Sequence, residues 1–221
     1  MAVRLIGVIP LLIAGLAACV LLIRGGLPKL STNILRMQRI STVQELEGLV
    51  GDVGDRRRDK ERAQLKADFA FIAFYLALFV TLAILLAYRD GAWATVLSIA
   101  AATTATAAAL SDVSENLLTF RVLRTPLEET TNGMLTSMRT ATTVKWGLVA
   151  ATLALLSGLF WGDRPGVDIA FGVLWAIAAT VGILATARPN VLPYFFALDA
   201  VSLAATVAFF AGSPPCLLNG F

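Results

Sequence analysis

Histidine is absent from the 221-residue sequence, and cysteine occurs only as Cys19 and Cys216. Haem sites, most zinc sites and the commonest general base all lean on imidazole or thiolate, so these chemistries drop out together. Charge is scarce as well: Asp, Glu, Lys and Arg make up 15% of the chain, against 57% for hydrophobic residues. With a mean hydropathy of +0.77 the chain is too apolar for a soluble domain of this length and fits an all-α, polytopic helical membrane protein. It also lacks a basic, aromatic-interleaved groove element; the pI of about 9.1 comes from Lys and Arg in loops between apolar spans, and no nucleic-acid partner is expected. No cofactor is expected either. The chemistry that remains is that of carboxylates.

What the sequence does have is a distinctive stretch from Ala92 to Arg124. Of the 18 residues 92–109, nine are Ala, four are Thr and one is Ser. Small residues let membrane helices approach closely, so this span is expected to be central. It runs into the polar signature Ser111-Asp112-Val113-Ser114-Glu115-Asn116.

Six transmembrane spans are expected around it. Residues 5–23 form an apolar run of nineteen, enough to cross a hydrocarbon core of about 30 Å at about 1.5 Å per residue. Leu16-Ala17-Ala18-Cys19 resembles a lipoprotein lipobox, but the apolar run continues past Cys19 and the next loop is strongly basic, so an uncleaved anchor is the reading adopted. Residues 24–67 make one cytoplasmic segment. It holds an amphipathic helix with Leu27, Leu30, Ile34 and Met37 on one side, then a second helix starting at the capping-box sequence Thr42-Val43-Gln44-Glu45, then a turn over 51–55. The charged run from Arg56 is expected to continue without a break into the second span, 68–88. The third span is the opening stretch, stopped by Thr125-Pro126. Residues 127–144, polar and threonine-rich, read as a loop or a short surface helix, with Lys145-Trp146 marking a membrane interface. Spans four to six follow at 147–161, 167–187 and 192–211. The chain thus divides into an anchor (1–23), the amphipathic and basic segment (24–67), a five-helix bundle (68–212) and a short external tail (213–221).

Orientation follows from the cations. Loops after spans one, three and five carry 15 of the 18 Lys and Arg residues, which puts 24–67 in the cytoplasm of a plasma (inner) membrane and both termini outside. The division into three plus three spans invites an inverted-repeat transporter, yet the second half has no match to Asp112-x-x-Glu115-Asn116.

Carboxylates give the candidate site. Asp68 opens the second span, and Asp112 lies twenty residues, about 30 Å, into the third; the tight hairpin between these spans returns both to one depth. Glu115 shares a helix face with Asp112. Asp199, seven residues or about 10 Å into the sixth span, is the deepest acid. Asn116, Tyr75 and Tyr194 are the supporting polar groups. A carboxylate in hydrocarbon is costly, so each acid should be paired, hydrogen-bonded or open to a wet cavity. The structural version pairs Asp68, Asp112 and Glu115 with Lys66, Arg121, Lys145 or Arg188 and leaves Asp199 hydrogen-bonded between helices. The functional version is a cytoplasm-facing acidic pocket for a proton, a hard cation or a cationic solute, centred on Asp199 and then Asp112.

Three functions follow in order. The first is a non-catalytic, structural or accessory component packed against lipid and other membrane subunits, or against its own copies. The second is a small proton- or cation-coupled transporter or channel. An intramembrane carboxylate enzyme comes last, because only Asp199 lies clearly inside the core and serine nucleophiles have no His partner.

Overall fold

The computed structural model of the chain describes residues 36–87, 92–161, 167–187, 191, 198–199, 201–202 and 205–206. All regular structure among them is helical. The elements are α1 (Val43–Val50), α2 (Arg56–Ala87), α3 (Ala92–Arg124), a 3-10 turn (Leu127–Glu129), α4 (Asn132–Phe160) and α5 (Val167–Ala187). Helices α2, α3 and α4 are each long and apolar enough to cross a membrane, and α5 contains a shorter apolar stretch, Ile169–Leu184. The expected first span, the stripe residues Leu27, Leu30 and Ile34, Tyr194 and the external tail lie outside the described residues. Of the expected sixth span the described positions are 198, 199, 201, 202, 205 and 206, all helical.

The long helices pack in chain order, α2 on α3, α3 on α4 and α4 on α5. A repeat of alternating three- and four-residue steps explains why. On α3 the buried positions run Ser98, Ala101, Ala105, Ala108, Asp112, Glu115, Thr119, Val122; on α4 they run Leu135, Met138, Thr142, Lys145, Val149, Thr152, Leu156, Leu159. α2 carries the same pattern through Leu65, Ile72, Phe79, Leu82 and Leu86. A period of 3.5 keeps one seam of a helix against its neighbour over many turns, as in coiled coils. The alanines of α3 make that seam narrow, and Thr152 Oγ1 donates to Thr104 Oγ1 across it at 3.0 Å.

Two apolar cores result. One joins Phe79, Leu82 and Leu86 of α2, Ala101, Ala105 and Ala108 of α3, Leu153 and Leu156 of α4, and Trp175 of α5. The other joins Met37, Ile40, Leu46 and Val50 to Leu65, Val122, Leu123, Leu135 and Met138. Residues 37–50 therefore form a cap over one end of the three-helix bundle. Thr42 N-caps α1 by accepting from the Glu45 N–H, while the Glu45 carboxylate reaches one residue further back than a standard capping box and accepts from the Ser41 N–H at 2.8 Å. These bonds, the Ser41 one foremost, hold the Glu45 carboxyl below its ordinary pKa. Gly51 ends α1 at φ +68, a conformation that favours glycine.

Arg58 fastens this cap to the bundle. Its guanidinium is fully buried and donates to the carbonyls of Gly51 (2.8 Å) and Thr125 (2.8 Å), while Arg62 donates to that of Leu123 (2.8 Å). Two cations thus meet the carbonyl end of α3, where the helix dipole is negative.

One sequence expectation is overturned. Residues 127–144 are not a loop or short surface helix: after the 3-10 turn, Thr131 caps a helix that runs unbroken from Asn132 to Phe160. Lys145 consequently lies inside the bundle, 4% exposed.

Candidate functional site

Between the two apolar cores the seam turns polar on all three long helices. α2 brings Asp68 and Tyr75, α3 brings Asp112, Glu115, Asn116 and Thr119, and α4 brings Thr142 and Lys145. Asp68 lies 19 residues from the end of α2 at Ala87 and Asp112 lies 20 from the start of α3 at Ala92, about 28 and 30 Å by helical rise. Lys145 is 15 residues from Phe160, about 22 Å.

Lys145 organises the layer. Its Nζ is 3.0 Å from Asp112 Oδ1 and 2.5 Å from Glu115 Oε2, and Asp112 and Glu115 are 5% and 1% exposed. Glu115 and Asp112 are one helical turn apart, so a single ammonium from α4 reaches both. The second Asp112 oxygen, Oδ2, accepts from the Tyr75 hydroxyl at 3.1 Å, which carries the network across to α2. Asp68 on α2 is tied to α3 separately: its Oδ2 accepts from Asn116 Nδ2 at 2.8 Å. The ring of Trp146 lies 4.8 Å from Nζ, adding a cation–π contact. Asp68, Tyr75, Asp112, Glu115 and Asn116 are thus brought into one layer, and of the four bases offered by the sequence as partners, Lys145 is the one that bridges. The three carboxyls face a single ammonium within this group.

Asp199 stands elsewhere. It shares no hydrogen bond or ion pair with this layer among the described residues. The residue is partly exposed, but its Oδ1 is buried and has no hydrogen-bond partner. Its helical neighbourhood reaches α5 through Trp175 Nε1, which donates to Thr206 Oγ1 at 3.2 Å.

A cleft opens beside the polar layer, lined by Met37, Gln38, Glu61, Leu65, Asp68, Glu115, Asn116 and Thr119, with a cavity of about 20 Å³. Among the described residues no three Asp, Glu, Cys or His side chains converge as a divalent-metal site would require. Sequence reasoning offered Lys145 only as one of four alternative bases, and missed Gln38. For Lys145 a signal existed, because it falls in step with Leu135, Met138 and Val149 on the buried stripe. Gln38 carried none.

These features define a multi-helix bundle with membrane-crossing character and a buried ionic layer. No family model, no curated protein and no solved structure matches the chain.

Proposed function

We propose that the chain is a six-span protein of the plasma (inner) membrane, with residues 24–67 in the cytoplasm and both termini outside. Its role is that of a non-catalytic structural or accessory component that packs against other membrane subunits or its own copies. The observation that carries this reading is Lys145 bridging Asp112 and Glu115 inside the bundle. Asp112 and Glu115, held by an ammonium of their own chain, act as an interhelical clamp between α3 and α4. The outward faces of α3 and α5 support it further, since Val96, Ile99 and Leu110, and Ile177 and Ile183, are exposed apolar side chains suited to lipid or a neighbouring helix. Purification of the tagged protein in a gentle detergent tests the role: co-purifying subunits or a stable homo-oligomer are expected, and a lone monomer with ion-dependent activity in vesicles overturns it.

One observation favours a second reading, a proton- or cation-coupled transporter organised by Asp199: the buried Oδ1 of that residue has no partner. Asp199→Asn separates the two. The amide is nearly isosteric but does not ionise, so under the component reading the variant folds and assembles normally. A well-folded Asn variant that loses ion-dependent flux in reconstituted vesicles decides for transport.

A further inference from the structure

The cleft between the 37–40 turn, α2 and α3 has room for a single water-sized particle: its cavity is about 20 Å³. Its lining is rich in acceptors, beside the amide N–H groups of Gln38 and Asn116. Gln38 is 8% exposed, and its Oε1 is buried with no hydrogen-bond donor. Thr119 has committed its hydroxyl proton to the Glu115 main-chain oxygen at 2.9 Å, so only lone pairs remain on Oγ1. Asn116 has committed an amide proton to Asp68 at 2.8 Å. Asp68 and Glu115 add carboxylate oxygens, and Glu61, which has a partner of its own, lines the rim.

Charge points the same way. Asp68, Asp112 and Glu115 share one ammonium, Lys145, whose contacts go to the latter two. Asp68 instead accepts from a neutral amide, that of Asn116. A buried oxygen-lined space with more carboxyl groups than ammonium groups, and with an acceptor that lacks any donor, suits a small cation. Divalent ions demand several converging carboxylates, which the described residues do not offer.

We propose that this cleft binds one monovalent alkali cation, held by Gln38 Oε1, the Asp68 and Glu115 carboxylates and Thr119 Oγ1. Such an ion ties the turn carrying Gln38 to α2 and α3, so that the cap over the bundle end is fastened partly by the ion. The proposal stands apart from the component reading, since a structural ion and a transported one both require the site.

Thermal unfolding of the full chain in detergent tests it, with NaCl or KCl titrated against choline chloride at constant ionic strength. Above the dissociation constant, the melting temperature of the wild type should rise by about 3–5 °C per tenfold increase in Na⁺ or K⁺. Gln38→Met and Asp68→Asn should each flatten that dependence. Equal melting temperatures in alkali and choline salts overturn the proposal and leave a cavity for water alone, and a Gln38→Met variant with the full dependence overturns it by placing the ion elsewhere. Equilibrium binding of ²²Na⁺ to the wild-type protein, expected at one ion per chain and displaced by excess unlabelled NaCl, decides the matter even if a variant fails to fold; no saturable binding overturns it.

Discussion

The two apolar cores use similar side chains in different surroundings. The core around Leu82, Ala105, Leu153 and Trp175 belongs to the stretch of α2, α3 and α4 within about 30 Å of their hairpin ends, and the core around Leu46, Leu123, Leu135 and Met138 lies beyond the polar layer, under the cap. Inside a bilayer, lipid tails are as apolar as leucine, so association there rests on close packing and hydrogen bonds. Alanines facing Phe79 and Leu153, the Thr152–Thr104 bond and the Ser157 hydroxyl donating to the Gly172 carbonyl at 2.7 Å are what that regime requires. On the topology proposed above the cap faces the cytoplasm, so that water is the alternative environment there and burial itself is stabilising. The larger side chains there, Met37, Leu46, Leu135 and Met138, fit that regime. The ionic layer lies between the two cores, and its ion pair of Lys145 with Asp112 and Glu115 is buried within the bundle.

The strongest way to break this arrangement is at the boundary. Lys145→Met strands Asp112 and Glu115 in a buried position and should cost about 3–5 kcal/mol, read as thermal or denaturant unfolding in detergent. Adding Asp112→Asn and Glu115→Gln to it should recover most of that loss, because a neutral, filled layer is tolerated where half of an ion pair is not. A triple variant as unstable as the single one would mean that the layer acts through charge rather than as a clamp.

Next in size is a direct test of the two regimes. Leu135→Ala under the cap should lose about 2–5 kcal/mol, the transfer and cavity contributions together. Leu153→Ala in the other core should lose clearly less in lipid, where only packing is forfeited. Equal losses in nanodiscs would erase the distinction between the cores.

A smaller effect is expected at the joint between cap and bundle. Arg58→Lys keeps a cation but gives up the fork that serves Gly51 and Thr125 together, and should cost about 1–3 kcal/mol. Proteolysis within 51–55 should accelerate, while the long helices stay protected.

The smallest effect concerns pH. The Asp52 carboxylate accepts from the Val53 N–H at 2.7 Å and from the Leu127 N–H at 3.2 Å, and these bonds, Val53 first, hold its pKa below the usual 3.8. A lowered folded pKa means that the unfolded chain takes up the proton first. The stabilisation is therefore complete above the usual carboxylate value and is lost as pH falls through the folded one. Hydrogen exchange at Leu127 should quicken below about pH 4 in the wild type and lose that step in Asp52→Asn.

Much of the helical layout was legible in the sequence. Ala92–Arg124 is a single helix, the charged run from Arg56 continues unbroken to Ala87, and Thr42 caps the helix after it. Regular spacing and small-residue content carry that information directly. The stretch 127–144 was misread because its exposed face, Thr136, Ser137, Arg139, Thr140 and Thr143, is polar and rich in poor helix formers, which hides the buried stripe of Leu135, Met138 and Thr142. Packing against α3 overrides that local preference. Of the candidate site, the common depth of Asp68 and Asp112 could be worked out by counting residues along a hairpin. Which base would meet them could not, because that depended on extending α4 backwards by four turns.

The position of Lys145 also bears on how the chain enters a bilayer. A lysine in the middle of a crossing helix costs about 2.5–3.5 kcal/mol to insert when it arrives alone. α3, with Asp112 and Glu115 already one turn apart on its inward face, precedes α4 in the chain and offers that lysine its counter-charges. Synthesis from the N-terminus delivers the acids before the base, an order that on the proposed topology favours insertion of α4 as a hairpin with α3 over insertion as an independent segment.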